Sequence, residues 1–151
     1  MIALASDHAG FEMKQEIGRY LEELKLPFKD LGVPSGERAD YPKYGYLAAK
    51  AVASGECDKG IIICGTGFGI SLAANKVKGI RAVVCTDCYT ALLSRQHNNA
   101  NILALGARVI APDAAKLIIK TWLQAEFEGG RHQGRLDMIT KIEEGKIDFI
   151  N

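Results

Sequence analysis

The sequence predicts an α/β protein: a single domain over residues 1–151, built as a doubly wound, Rossmann-like, five-stranded parallel sheet with helices on both faces. Three observations carry this reading. Short apolar runs with strand character alternate with longer helix-patterned segments from end to end, the mark of successive βα units. Lys59–Cys64 contains Ile61-Ile62-Ile63, the unbroken β-branched run of a strand buried on both faces of a parallel sheet. A chain of 151 residues suits one domain, burying roughly 68–70% of its unfolded surface.

Each element has its own signal. Ile2–Ser6 reads as the first strand. Asp7-His8-Ala9-Gly10 turns into a helix over about Phe11–Leu26, with Phe11, Ile17, Tyr20, Leu21 and Leu24 as its apolar stripe and Pro27 as its stop. Phe28–Leu31 is a short second strand. Gly32–Pro42, with Pro34, Gly36 and Pro42, is expected to be a long loop of the kind that contacts substrates. A helix over about Tyr44–Ser54 stops at Gly55. Lys59–Cys64 is the third strand, followed by a helix over Ile70–Val77. Ala82–Cys85 is the fourth strand, and Asp87 caps a helix running to Gln96. Ile102–Leu105 is the fifth strand, and a helix spans Pro112–Glu126. After Gly129-Gly130 a last helix is expected over about Arg135–Glu144. In this fold class ligands sit beyond the C-terminal ends of the strands. That singles out Asp7-His8, the loop to Pro42, Cys64–Ser71, Thr86-Asp87 and Gly106–Arg108.

Composition excludes several classes of function. With 19 basic and 18 acidic residues the net charge is +1, which gives no sign of the basic excess that nucleic-acid binding usually requires. No apolar run approaches the about 20 residues of a membrane span. The N-terminus lacks a basic leader and reads as a strand; with four cysteines in a domain that needs no disulfides, reduced thiols and a cytoplasmic location are expected. Cys85-Thr86-Asp87-Cys88 is a CxxC, but no second ligand pair accompanies it. The plainer reading puts Cys85 at the end of a strand and Cys88 at the start of a helix.

The chemistry concentrates in a few stretches. Cys64-Gly65-Thr66-Gly67-Phe68-Gly69-Ile70-Ser71 places a thiol at a strand's end before three alternating glycines. Ile70 stands where a dinucleotide fingerprint needs glycine, and no Lys-Ser/Thr pair closes a phosphate loop of the Walker type. What remains is a turn whose N–H groups and hydroxyls can cradle an anion, though part of its glycine content serves the turn itself. A thiol facing such N–H groups is placed where a thiolate is favoured, as base or nucleophile. Asp7 can cap the first helix with His8 beside it. Ser94–Asn101 is a dense polar run, which by itself could be a solvated helix end. In Gly129–Arg135, a helical turn starting at Arg131 would put Arg131 and Arg135 on one face. Two guanidinium forks with an imidazole between them suit a phosphate dianion.

These stretches resemble one family. Ser6-Asp7-His8-Ala9-Gly10, Asp40-Tyr41-Pro42, Cys64–Ser71 with Ala73-Ala74-Asn75-Lys76, Gly79-Ile80-Arg81-Ala82, Ser94-Arg95-Gln96-His97-Asn98 and Glu128-Gly129-Gly130-Arg131-His132 are similar to the B-type ribose-5-phosphate isomerases, whose family includes the galactose-6-phosphate isomerase subunits. The resemblance spans Ser6 to about Arg135. It implies an aldose–ketose isomerase that interconverts ribose 5-phosphate and ribulose 5-phosphate through an enediolate, with no cofactor and no metal. Cys64 would be the base, and Thr66 with the amides of Gly65, Gly67 and Gly69 would stabilise the enediolate. Asp7 and His97 would assist furanose opening, and Tyr41 would line the sugar site. His8, Arg131 and Arg135 would bind phosphate with help from Arg108, Asn98 would contact the sugar, and Ser71 would join the substrate-binding turn.

The family pattern further implies a homodimer or homotetramer, with His97, Asn98 and Arg108 reaching into the neighbour's site and the helix at about 135–145 packing on or near the partner. Some relatives instead use a glutamate one helical turn after the glycine turn, with serine at the Cys64 position. This chain has Ala73-Ala74-Asn75 there, so Cys64 is the better base. Three alternatives remain: a six-carbon 6-phosphate substrate, a non-catalytic sugar-phosphate or nucleotide-binding module, and a redox protein built on Cys85 and Cys88. The second leaves Cys64 and His97 without a role, and the third leaves the arginines unexplained.

Overall fold

The computed structural model describes residues 1–147. Its elements are β1 (Ile2–Ser6), α1 (Phe11–Glu23), β2 (Phe28–Asp30), α2 (Tyr41–Ala53), β3 (Lys59–Cys64), α3 (Phe68–Ala74), β4 (Ala82–Val84), α4 (Cys88–Gln96), β5 (Ile102–Gly106), α5 (Pro112–Gln124) and α6 (Arg131–Glu143). The strands form one parallel sheet in the order β2-β1-β3-β5-β4. No helix among the described residues is long and apolar enough to cross a membrane.

The period-two alternation of the strands divides the core between the two faces. Ala3, Ala5, Ile62, Cys64, Ile102 and Ala104 pack with α2 and α3. Ile2, Leu4, Ile61, Ile63, Leu103 and Leu105 pack with α1, α4 and α5, over the fully buried Trp122. Small side chains dominate the first face, so Ala48 and Ala49 of α2 lie close to the sheet. Gly45 lets α2 meet α3, because a Cβ there would fall 2.6 Å from the Ile70 carbonyl oxygen.

Several boundaries differ from the sequence expectation, each for a local reason. The helix expected from Tyr44 starts at Tyr41, with Pro42 in its first turn; proline is favoured there because its missing N–H has no partner to lose. The helix expected from Ile70 starts at Phe68, behind Gly67 at φ +83°. α6 begins at Arg131, directly after Gly129 and Gly130 in the left-handed region at +64° and +55°. α1 ends at Glu23, before Lys25 turns to φ +56°. Asp87 does cap its helix, its Oδ1 accepting from the Thr90 N–H at 2.8 Å, and Cys88 is that helix's first residue. The cysteines of the described residues are all free.

Gly10 ties α1 to the end of β3. A Cβ at this position would lie 2.7 Å from the Ile63 carbonyl oxygen. Gly10→Ala should therefore destabilise the fold by about 1–3 kcal/mol through overpacking, read as a lower urea midpoint; an unchanged midpoint would show that this approach is loose.

Candidate active site

Parallel register sets the site. Ser6 pairs with Ile63 and Cys64 with Gly106, so β1, β3 and β5 end together and release Asp7, Gly65 and Ala107 along one edge. The resulting pocket, about 330 Å³, is lined by Asp7, His8, Ala9, Tyr41, Cys64, Gly65, Thr66, Gly69 and Arg108.

Cys64 is 4% exposed at its floor, and its Sγ accepts the Gly67 N–H at 3.1 Å. The left-handed Gly67 aims that amide back at sulfur. Two bonds from the loop after β5 hold the turn's backbone: Ala107 N–H to the Cys64 carbonyl and Arg108 N–H to the Gly65 carbonyl, both 2.9 Å. Gly69 makes room for the Tyr41 ring, which a Cβ would approach to 2.7 Å. α3 has only seven residues, so the anion-binding capacity lies in the turn's own N–H groups more than in a helix dipole.

Asp7 and His8 are held from two sides. Asp7 is 5% exposed, and its Oδ1 accepts the Gly10 N–H at 3.1 Å. His8 Nδ1 lies 3.0 Å from the Ala39 carbonyl oxygen and 3.2 Å from the Ala39 nitrogen. Either contact commits Nδ1 to the backbone and leaves Nε2 for a ligand. Lys14, 1% exposed, braces the chain upstream of Ala39: its Nζ donates to both Asp30 oxygens at 2.8 and 2.6 Å and to the Val33 carbonyl at 2.9 Å. Neither Ala39 nor Lys14 carried a signal in the sequence, because backbone contacts and a folded-back lysine leave no motif.

The remaining candidates lie elsewhere. Arg108, expected to reach a neighbour, lines its own chain's pocket, carried there by the turn that follows β5. Ser71, expected to bind substrate, is buried within α3 and donates to the Phe68 carbonyl at 2.8 Å, the back-bonding of serine in a helix. His97, Asn98, Arg131 and Arg135 do not line the pocket. His97 caps α4, and Arg81 donates to the carbonyls of Asn98 and Asn99 at 3.0 and 3.1 Å. Arg131 and Arg135 are exposed on α6.

His132 does not sit between the two arginines. One residue along a helix is a turn of about 100°, and that rotation carries His132 inward while Arg131 and Arg135 face out. It is 4% exposed and stacks on His97, with ring centroids 4.3 Å apart and planes 11° from parallel. Glu128 Oε2 lies 3.6 Å from His132 Nε2 and 4.0 Å from His97 Nε2. This is the one group with metal-ligand composition among the described residues, its ligand atoms within 4.8 Å of one another. Parallel rings point their in-plane lone pairs side by side, however, so binding a metal at about 2.1 Å would need both rings to turn.

Burial, together with the positive charge of Arg131, pushes the His132 pKa below its ordinary value, against the opposing pull of Glu128. The folded state therefore binds this proton less readily than the unfolded chain, whose histidine titrates near about 6.5. The resulting stability is fully present above that value and is lost as pH falls through it toward the folded value. Urea midpoints measured from about pH 7 down to about pH 5 should fall more steeply for the wild type than for His132→Phe; equal slopes would rule out His132 as the source.

Comparison with known proteins agrees with this architecture. The profile of the ribose/galactose isomerases matches residues 2–139. The chain is 55% identical over 143 residues to ribose-5-phosphate isomerase B of Escherichia coli (strain K12), covering 95% of this chain and 96% of that one. The structure of Clostridium thermocellum ribose-5-phosphate isomerase B superposes with a TM-score of 0.95 at 53% identity, over 97% of this chain and 99% of that one. That of Mycoplasma genitalium ribose-5-phosphate isomerase B with bound ribulose 5-phosphate does so with a TM-score of 0.90 at 42% identity, over 95% of each. A sheet of the same kind throughout, matched nearly end to end at these identities, means that the chain belongs to the ribose/galactose isomerase family.

Proposed function

We propose that the chain interconverts ribose 5-phosphate and ribulose 5-phosphate, with Cys64 as the base. The observation that carries this reading is the shared pocket: a buried sulfur bonded to a turn amide, with the Thr66 hydroxyl, Asp7, His8 and Arg108 around the same space. In the open-chain aldehyde, the Cys64 thiolate removes the proton on C2. The C–H electron pair forms the C1–C2 double bond, and the carbonyl electrons move onto O1. The thiol then returns the proton to C1 while the O2 hydroxyl proton passes to O1, so that O1 ends as the hydroxyl and C2 as the ketone. A thiolate is a moderate base, so stabilising the charge on oxygen must supply much of the rate. One well-placed donor contributes about 3–4 kcal/mol, and Thr66 with the turn amides provides several.

His8 and Arg108 form the near side of a phosphate site. Arg131 and Arg135 supply the far side from a second copy of the chain, which also brings His97 for furanose opening and Asn98 for contact with the sugar. Two features favour a shared site: these four residues lie outside their own chain's pocket, and α6 leaves Met138, Ile139 and Ile142 exposed. Phosphate binding remote from the reacting carbons then holds C1 and C2 against Cys64.

Purified protein should convert ribose 5-phosphate faster than allose or galactose 6-phosphate, and the reverse ranking would reassign the substrate. Cys64→Ala should lose turnover by about a thousandfold or more, with an unchanged thermal midpoint and retained phosphate binding; near-normal turnover would end the base assignment. Arg131→Ala and Arg135→Ala should each raise KM about tenfold while changing kcat less, and wild-type phosphate affinity in both would move the phosphate site elsewhere.

A further inference from the structure

The stacked histidines have no part in the scheme above beyond His97 itself. His132 brings a buried Nε2 that lacks a hydrogen-bond partner among the described residues, and Glu128 brings a half-exposed carboxylate to the Nε2 edge of both rings. Three elements converge to build this group. His97 ends α4, its N–H donating to the Leu93 carbonyl at 2.8 Å. Glu128 lies in the connection between α5 and α6 and is tied to α4 by its own N–H, which donates to the Gln96 carbonyl at 3.0 Å. His132 occupies the first turn of α6, its N–H donating to the Gly129 carbonyl at 3.0 Å.

We propose that Glu128 and His132 are positioning residues for His97, holding its ring in the orientation and tautomer that furanose opening requires. The proposal rests on the reading of His97 as a ring-opening group. Opening moves two protons: the anomeric hydroxyl gives one up as C1 becomes a carbonyl, the bond from C1 to the ring oxygen breaks, and that oxygen takes a proton. A group that gives and takes protons in one visit must present one nitrogen in a set direction. The exposed position of His97, about a third open to solvent, would otherwise leave its ring free to rotate. The His132 face blocks that rotation, and the carboxylate beside Nε2 favours the tautomer with hydrogen on that nitrogen, leaving Nδ1 as the working atom. Stacking works best with an uncharged partner, because two imidazolium rings at 4.3 Å would repel. Burial beside Arg131 favours that uncharged form of His132.

Ring opening and proton transfer from C2 can be told apart isotopically. With ribose 5-phosphate deuterated at C2, slowing the Cys64 step preserves or raises the primary isotope effect on kcat, whereas slowing ring opening drives it toward unity. Glu128→Gln and His132→Ala should lower kcat about tenfold or more with smaller changes in KM, and should show an isotope effect near one. His132→Phe, which keeps a flat stacking face, should recover most of the rate. Glu128→Gln alters a half-exposed side chain and so serves as the test even if His132→Ala does not fold. Unchanged kcat in Glu128→Gln, or a lowered kcat with a full isotope effect, would overturn the proposal. His97→Ala separates the two levels. If it is slowed with a full isotope effect, the reading of His97 as a ring-opening group fails. If it shows the collapsed effect while Glu128→Gln and His132→Ala behave as wild type, only the positioning role fails.

Discussion

The parallel register of β1, β3 and β5 is the constraint on which everything else depends. Because Ser6 pairs with Ile63 and Cys64 with Gly106, three chain reversals occur at one level of the sheet. The Cys64 sulfur, Asp7, His8 and the Arg108 turn then share one edge. The period-two alternation that puts Cys64 on the α2–α3 face also points its sulfur back beneath α3, where the Gly67 amide meets it. A slip of one residue in β3 would turn the thiol to the opposite face of the sheet, into the cluster around Ile63 and Trp122.

A second consequence of the fold is a division of labour. Apart from Tyr41 of α2 and Gly69 of α3, the residues that line the pocket come from the ends of β1, β3 and β5 and the turns that follow them. The residues assigned to ring opening and to half of the phosphate site come from α4 and α6, at the margin. Only His132 and Leu136 of α6 are buried, and the helix otherwise presents Met138, Ile139 and Ile142 outward. Exposed apolar side chains next to two exposed arginines suit the packing proposed for this helix against another copy. Stacking of His132 on His97 couples the two marginal elements, so that the path of α6 and the direction of the His97 ring are set together.

Much of this was legible in the sequence. The β-branched run before Cys64, the glycine turn, and the alternation of strands and helices announce the sheet and its reactive edge, because each reflects a local rule. The difficulties came where tertiary context decides. Tyr41 joins a helix because Pro42 fits its first turn, although proline before a helix reads equally well as loop. Ser71 has the chemistry of a binding residue, but its place in α3 turns its hydroxyl to the Phe68 carbonyl. Arg108 reaches its own pocket because β5 ends level with β3, a fact of register that spacing does not encode. His132 looked like a phosphate ligand beside two arginines. Its helical phase, visible once the first residue of α6 is known, places it inward instead.

The central claim is that a working site combines Cys64 of one chain with His97 of another. The direct measurement is complementation between two inactive proteins, Cys64→Ala and His97→Ala, mixed, unfolded and refolded together. In a symmetric dimer with shared sites, each heterodimer has one site with both lesions and one with neither. With random pairing, half the dimers are mixed and half of their sites are intact, so about a quarter of wild-type activity should return. If no activity returns although heterodimers are confirmed by mass spectrometry, each site is built within a single chain and the account is wrong.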